Sequence, residues 1–175
     1  MAPSFEIATP RLRLYAPTSA EVQALRRGDR TELAAHINAA VPEAWWFGPS
    51  LLRLLPDLPE AMAHEPNDAR WIWLVIDPIS AQIIGDIGYH GPLHDDATVE
   101  IGYSLMPHAH GFGYATEAIS ALIQWTFAHT QVAQIIAQIK PENAASQRVA
   151  ARLGMQAMLP LSTEYLCFGI SRPLA

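Results

Sequence analysis

The stretch from Thr98 to Lys140 constrains the fold most, because it reads as strand, glycine loop, helix and strand in one run. Thr98 to Leu105 (TVEIGYSL) has the make-up of a strand, and Pro107 to Gly113 that of a loop with glycines at 111 and 113. Tyr114 to about His129 follows as a helix. Along it Ala115, Ala118, Ile119, Leu122, Ile123 and Phe127 recur at helical spacing, which predicts an apolar face laid on a sheet. Val132 to Lys140 is apolar on both sides of the alternation around Ile135 and Ile136, as a buried parallel strand is. Such a crossover needs one sheet with helices packed on it.

The flanking segments fit that sheet. Arg11 to Tyr15 alternates basic and apolar residues, the pattern of an edge strand with one dry face. Pro17 and Thr18 open a helix through Glu21, Val22 and Leu25 to about Arg27, and one or two more helices are expected before Asp68. Trp71 to Asp77 and Gln82 to Tyr89 read as a hairpin turning at Pro78 to Ala81. Near the end, Asn143 can cap a short helix that stops at Leu153, with Gly154 as the left-handed residue, before a last strand from Tyr165 to Arg172. The expected class is α/β (α+β), a single mixed central sheet with flanking helices. At 175 residues, half of them apolar and without repeats, residues 1–175 read as a single domain.

Charge and cysteine content narrow the function. Seventeen acids against eleven basic residues give a formal charge of −6, which disfavours nucleic acid as a partner. Cys167 is the sole cysteine, so neither an intrachain disulfide nor a Cys-based zinc site can form. It reads as a small buried hydrophobe. The start, MAPSFEIATPRLRL, has no apolar signal core and no stretch approaches a membrane span, so no membrane and a cytoplasmic location are expected.

The chemistry concentrates in VEIGYSLMPHAHGFGYATEA, Val99 to Ala118. A helix N-terminus leaves N–H groups without partners and carries partial positive charge. Glycines on its approach let an anion come close to the main chain, which makes a phosphate cradle. A P-loop would need Gly-Lys-Ser/Thr, and no lysine follows these glycines. A dinucleotide fingerprint would need a small residue where Thr116 stands and an acid where Lys140 stands.

A third reading fits. The loop resembles the Gln/Arg-x-x-Gly-x-Gly/Ala signature of the GNAT superfamily of acetyltransferases. ATPRLRL, IIGDIGY, VEIGYSLMP, GYATEAISALIQWTF and KPENAASQRVAARLGM also fall in order, and together they are similar to its ribosomal-protein-alanine acetyltransferase branch. The resemblance spans roughly Thr9 to Pro173. It implies splayed parallel strands in the sheet and acetyl-CoA as co-substrate, without a metal. Its pyrophosphate would sit on the backbone amides of Gly111, Phe112, Gly113, Tyr114 and Ala115. His108 stands where most members carry Gln or Arg. Main-chain groups around Leu105 and Met106 would pair with the pantetheine arm, and Asn143 would bond it from the other side; a plain helix cap is the other use of that residue.

The resemblance also assigns the transfer itself. Glu100 matches the place of a catalytic glutamate, and Ser146, one turn after Asn143, matches a serine that helps the thiolate leave. Read blandly, Glu100 is an outward strand residue and Ser146 a solvated helix serine. The tyrosine that many relatives carry as general acid is absent, because Ala150 holds its place. A base is needed because deprotonating an alkylamine of pKa near 10.4 at neutral pH costs roughly 4–5 kcal/mol. Tyr103 and Tyr114 read as packing residues. His90, His94, Asp95 and Asp96 cluster in the loop before Glu100, where a metal site is conceivable; loop histidines at such spacing are usually solvated, and His90 or Asp95 could instead line the acceptor entrance. Trp45, Trp46 and Phe47 suit a core or homodimer anchor, or an aromatic wall of an acceptor pocket shaped by residues 26–70. The expected activity is transfer of acetyl from acetyl-CoA to a primary amine, on a protein N-terminus or a small molecule, by direct attack in a ternary complex. The alternatives are a non-catalytic acyl-CoA sensor and, less in keeping with the loop, a nucleotide-dependent enzyme.

Overall fold

The computed structural model describes residues 5–45, 72–90 and 97–173. They form one eight-stranded mixed sheet in the order β1-β2-β3-β4-β5-β6-β8-β7. The strands are β1 Phe5–Ala8, β2 Arg13–Ala16, β3 Trp73–Asp77, β4 Gln82–His90, β5 Thr98–Leu105, β6 Gln134–Ile139, β7 Gln156–Met158 and β8 Leu166–Ser171. Four helices accompany them: α1 Ser19–Arg26, α2 Arg30–Ile37, α3 Tyr114–His129 and α4 Ala144–Arg152. The expected α/β class with a mixed sheet is what the chain adopts.

Local chemistry sets the helix boundaries. Thr18 and Glu21 form a reciprocal capping box at the start of α1, and the Asp29 side chain accepts from Thr31 and Glu32 at the start of α2. Asn38 ends α2 in the left-handed region at φ 48°. The predicted apolar face of α3 is buried at Ala118, Ile119, Leu122 and Ile123, while Ala115 and Phe127 pack at its margin. Burying each large side chain in this way contributes about 1.5–3 kcal/mol. One core lies between the sheet and α3 and α4, and a second lies on the opposite face against α1 and α2.

Both margins of the sheet depart from the sequence reading. β2 is interior, because β1 pairs with it at Phe5↔Ala16 through Ala8↔Arg13 and so takes the edge. β1 is four residues long and only half-buried, too short for its alternation to stand out. At the other margin β7, three exposed residues, adds a strand that the sequence does not announce.

The pairing between β5 and β6 positions the site. These strands run parallel and pair only at Thr98↔Gln134, Val99↔Ile135 and Glu100↔Ile136. Beyond that point β5 continues beside β4 as far as Gly85↔Leu105, and β6 continues beside β8 to Ile139↔Leu166. The two strands part inside the sheet, and Glu100 stands at the apex of the opening.

Candidate functional site

A cleft of about 530 Å³ opens where β5 leaves β6, within the size range of small-molecule sites. Its walls are Tyr103, Ser104 and Leu105 on the strand side and, opposite, Ser146 and Val149 on α4 with Asn143 at its cap. Its floor is the glycine loop and first turn of α3: Gly111, Gly113, Tyr114, Ala115 and Thr116. Gly111 and Gly113 both have left-handed φ, +84° and +81°, which any residue with a Cβ adopts only at a cost of roughly 1–2 kcal/mol. A Cβ on Gly111 would meet nothing within 4 Å, so its absence leaves an open approach to the main chain. No side chain caps α3, and its N-cap is Gly113 itself.

Electrostatics at that helix start favour an anion. Arg148 and Arg152, one turn apart on α4, line the same cleft. The one acid in the first turn of α3, Glu117, is turned away and held: Arg11 donates to its Oε2 at 2.7 Å and Thr9 to its Oε1 at 2.6 Å. Burial pushes the Glu117 carboxyl up, but the hydrogen bonds from Thr9 and Arg11 and the guanidinium charge together outweigh it and hold it below its ordinary value. Arg11 also donates to the Phe112 carbonyl at 2.9 Å and lies over the Tyr114 ring, which ties the loop to the segment before β2.

The inner end of the cleft carries hydroxyls. Asn143 caps α4, its Oδ1 accepting from the Ser146 amide at 3.0 Å. Ser146 lines the cleft one turn on, and Ala150, a further turn along, is buried. Tyr103 reaches the same place from β5. Burial pushes its phenol above the ordinary value, and the nearby Ser146 side chain partly opposes that rise.

The other face of β5 holds the acids. Glu100 accepts from the Gln138 amide at 2.7 Å, a bond that bridges the parting strands, and His90 Nδ1 lies 3.5 Å from its other oxygen. The His90 ring rests on Gly102, where a Cβ would come within 2.3 Å of Nε2, so only glycine seats it. Asp86, wholly buried, accepts from Ser104 Oγ at 3.0 Å and from Trp45 Nε1 at 3.3 Å. Cys167 is buried on the strand beyond, its thiol pushed up by burial and then by the Glu100 charge.

Of the residues expected in the site, Leu105, Gly111, Gly113, Tyr114, Ala115, Asn143 and Ser146 meet in the cleft, with Glu100 behind its apex. Three stand apart. The Met106 amide donates to the Ile84 carbonyl and its side chain packs on the far core. His108 is exposed on the 3₁₀ turn Pro107–Ala109 and does not line the cleft. Phe112 is 61% exposed and stacks on Tyr114. His110 lines the cleft instead of His108, donating through Nε2 to the Leu105 carbonyl at 2.9 Å. Arg11, His110, Arg148 and Arg152 escape the sequence reading, although the i, i+4 spacing of the last two is a signal that finds them. Trp45 is a core residue; Trp46, Phe47, His94, Asp95, Asp96 and residues 46–70 of the expected acceptor region lie outside the described residues. Among the described residues no group of three or more His, Cys, Asp or Glu side chains could hold a metal, and no helix is long and apolar enough to cross a membrane.

Comparison with known proteins converges on one family. The family model described as an acetyltransferase (GNAT) domain matches residues 11–156. The N-acetyltransferase YoaA of Bacillus subtilis (strain 168), itself uncharacterized, is 32% identical over 96 residues, 55% of this chain and 53% of that protein. The chain spans about half the length of the curated relatives it matches. Among solved structures, the ribosomal-protein-S5-alanine acetyltransferase of Vibrio fischeri aligns over 96% of this chain and 97% of its own, with 17% identity and a TM-score of 0.65. The microcin C7 self-immunity acetyltransferase MccE, solved with acetyl-CoA and AMP, aligns over 93% of both chains with 17% identity and a TM-score of 0.60. At these identities the structures establish the fold, and the family match covers most of the chain. The protein is a member of the GNAT acetyltransferase family.

Proposed function

We propose that the chain, as one domain over residues 1–175 in the cytoplasm, transfers an acetyl group from acetyl-CoA directly to a primary amine in a ternary complex. The observation that carries this reading is the uncapped, glycine-approached start of α3, opening onto a cleft that leads to the parting of β5 and β6. The amides of residues 111–115 take the pyrophosphate, with Arg148 and Arg152 supplying charge. The Leu105 strand edge and the free end of the Asn143 amide flank the arm that follows.

The acceptor approaches from the Glu100 face. Its nitrogen loses a proton through water to Glu100, whose carboxylate is kept in place by Gln138. The nitrogen then attacks the thioester carbon; the C–N bond forms, the C–S bond breaks, the electron pair leaves on sulfur beside Ser146, and the nitrogen gives its second proton to solvent through the same water, leaving a neutral amide. Alignment of the two substrates supplies the larger share of the acceleration, roughly 7–11 kcal/mol, against about 10²–10⁴-fold for the base. The acceptor is an amine of a protein N-terminus or of a small molecule.

Calorimetry with acetyl-CoA, followed by release of free thiol on a panel of peptides and small amines, tests this. Saturable binding and amine-dependent thiol release are expected, with ATP and NAD giving no heat. Binding without release on any amine would make the chain an acyl-CoA sensor, and absence of binding would overturn the reading.

A further inference from the structure

The hydroxyl of Tyr103 is buried and completes no hydrogen bond. A buried polar group left in that state is costly and demands a reason. Strand alternation explains where it sits. Val99, Ile101, Tyr103 and Leu105 all belong to the face of β5 that packs under α3 and α4, whereas Glu100 and Ser104 belong to the other. Tyr103 therefore lies on the side of the cleft that holds Ser146, opposite the base. Between Tyr103 and α4 there is also a gap of about 10 Å³, at the lower limit of what a water needs. Ala150 contributes to its wall, and among the described residues the only polar side chains around it are Tyr103 and Ser146. Among the described residues Ser146 is thus the one polar side chain, besides Tyr103 itself, that borders both spaces, and it faces the cleft.

We propose that Tyr103 and Ser146 form a two-hydroxyl relay, in which the phenol donates to Ser146 Oγ and Ser146 donates to the sulfur of the departing thiolate. The inference rests on acetyl-CoA occupying this cleft, and it supplies the donor that the alanine at position 150 leaves missing. No bond to Tyr103 breaks: the C–S electron pair stays on sulfur, which the relay stabilises by hydrogen bonding, and solvent later protonates the thiolate. Burial keeps the phenol protonated across the range in which a thiol titrates, so it remains a donor throughout. Tyr103 is thus a positioning residue that acts through Ser146.

The test compares the full chain with Tyr103→Phe, Ser146→Ala and the double variant. The first readout needs no acceptor: the pKa of the thiol of bound coenzyme A, followed by thiolate absorbance. It is expected to rise by roughly one unit in Tyr103→Phe, with acetyl-CoA binding within about twofold of the parent. The second readout is turnover on whichever amine is acetylated, where kcat falls about tenfold with little change in KM. The third is the double variant, no slower than Ser146→Ala alone, as acting through Ser146 requires. Because the buried phenol has no partner within hydrogen-bond geometry, Tyr103→Phe is expected to melt no lower than the parent, which a structural tyrosine would not allow. An unchanged thiol pKa in Tyr103→Phe, or losses that add in the double variant, would overturn the relay while leaving the acetyltransferase reading intact. Failure of the parent to bind coenzyme A would overturn both.

Discussion

The helix that begins at Tyr114 and the one that begins at Ser19 handle the same physical problem in opposite ways. At Ser19 every device is internal: Thr18 and Glu21 cap each other, and the buried Glu21 carboxylate also accepts from the Tyr15 hydroxyl at 2.9 Å and the Thr18 amide at 2.6 Å. At Tyr114 there is no side-chain cap, the approach is by two left-handed glycines, and the nearby acid is drawn off by Arg11 and Thr9. A helix end that satisfies itself is a structural joint. One kept bare beside a cleft, at some cost in stability, is reserved for something that arrives from outside.

The sharpest way to test that contrast separates holding from reacting. Glu100→Gln is expected to lower turnover by about 10²–10⁴-fold while acetyl-CoA affinity, read by calorimetry, stays within about twofold. Normal turnover in that variant across the pH range would remove Glu100 from the mechanism. Giving α3 its own anion should break the comparison outright: Gly113→Asp adds a carboxylate and a left-handed Cβ and is expected to weaken acetyl-CoA binding by about 100-fold, with the far-ultraviolet dichroism unchanged.

Smaller effects follow at the supports. Arg11→Ala frees Glu117 and the Phe112 carbonyl, and we expect a loss of acetyl-CoA affinity of about three- to tenfold. The same variant carries a pH signature. Because the Glu117 carboxyl is held below its ordinary 4.5, the stability it contributes is present above that value and disappears as pH falls through the lower, folded one. The gap in melting temperature between the parent and Arg11→Ala is therefore expected to close as pH falls below 4.5. The mildest outcome belongs to the self-capped helix: Thr18→Ala should cost about 0.5–2 kcal/mol in denaturant titration and leave acetyl-CoA affinity unchanged. A change in that affinity would show that the two helix ends are not independent.

What the sequence discloses follows the range of the interactions. β5 and α3 are legible to the residue, since alternation, glycine and apolar spacing are local signals. The Asn143 cap and the Gly154 stop are legible for the same reason. Arg11 is not, because its partners Phe112 and Glu117 lie more than 100 residues away. His108 misleads because a motif gives positions along the chain, whereas the 3₁₀ turn decides which side chain faces the cleft, and it presents His110. Met106 misleads because its amide is already engaged by Ile84. Tyr103 is half-legible. Its odd spacing from Glu100 places the two on opposite faces of one strand, but only the packed structure reveals a phenol without a partner.

Sheets ordinarily expose their unpaired backbone at the outer margin, where a neighbouring molecule can dock and seed aggregation. By letting β5 and β6 diverge after three pairs, this chain moves such a margin into its interior, roofed by α3 and α4. A second sheet cannot fit into that cleft. A slender ligand carrying its own amides can, so the same backbone hunger that endangers other β proteins becomes here a filter on the shape of the guest.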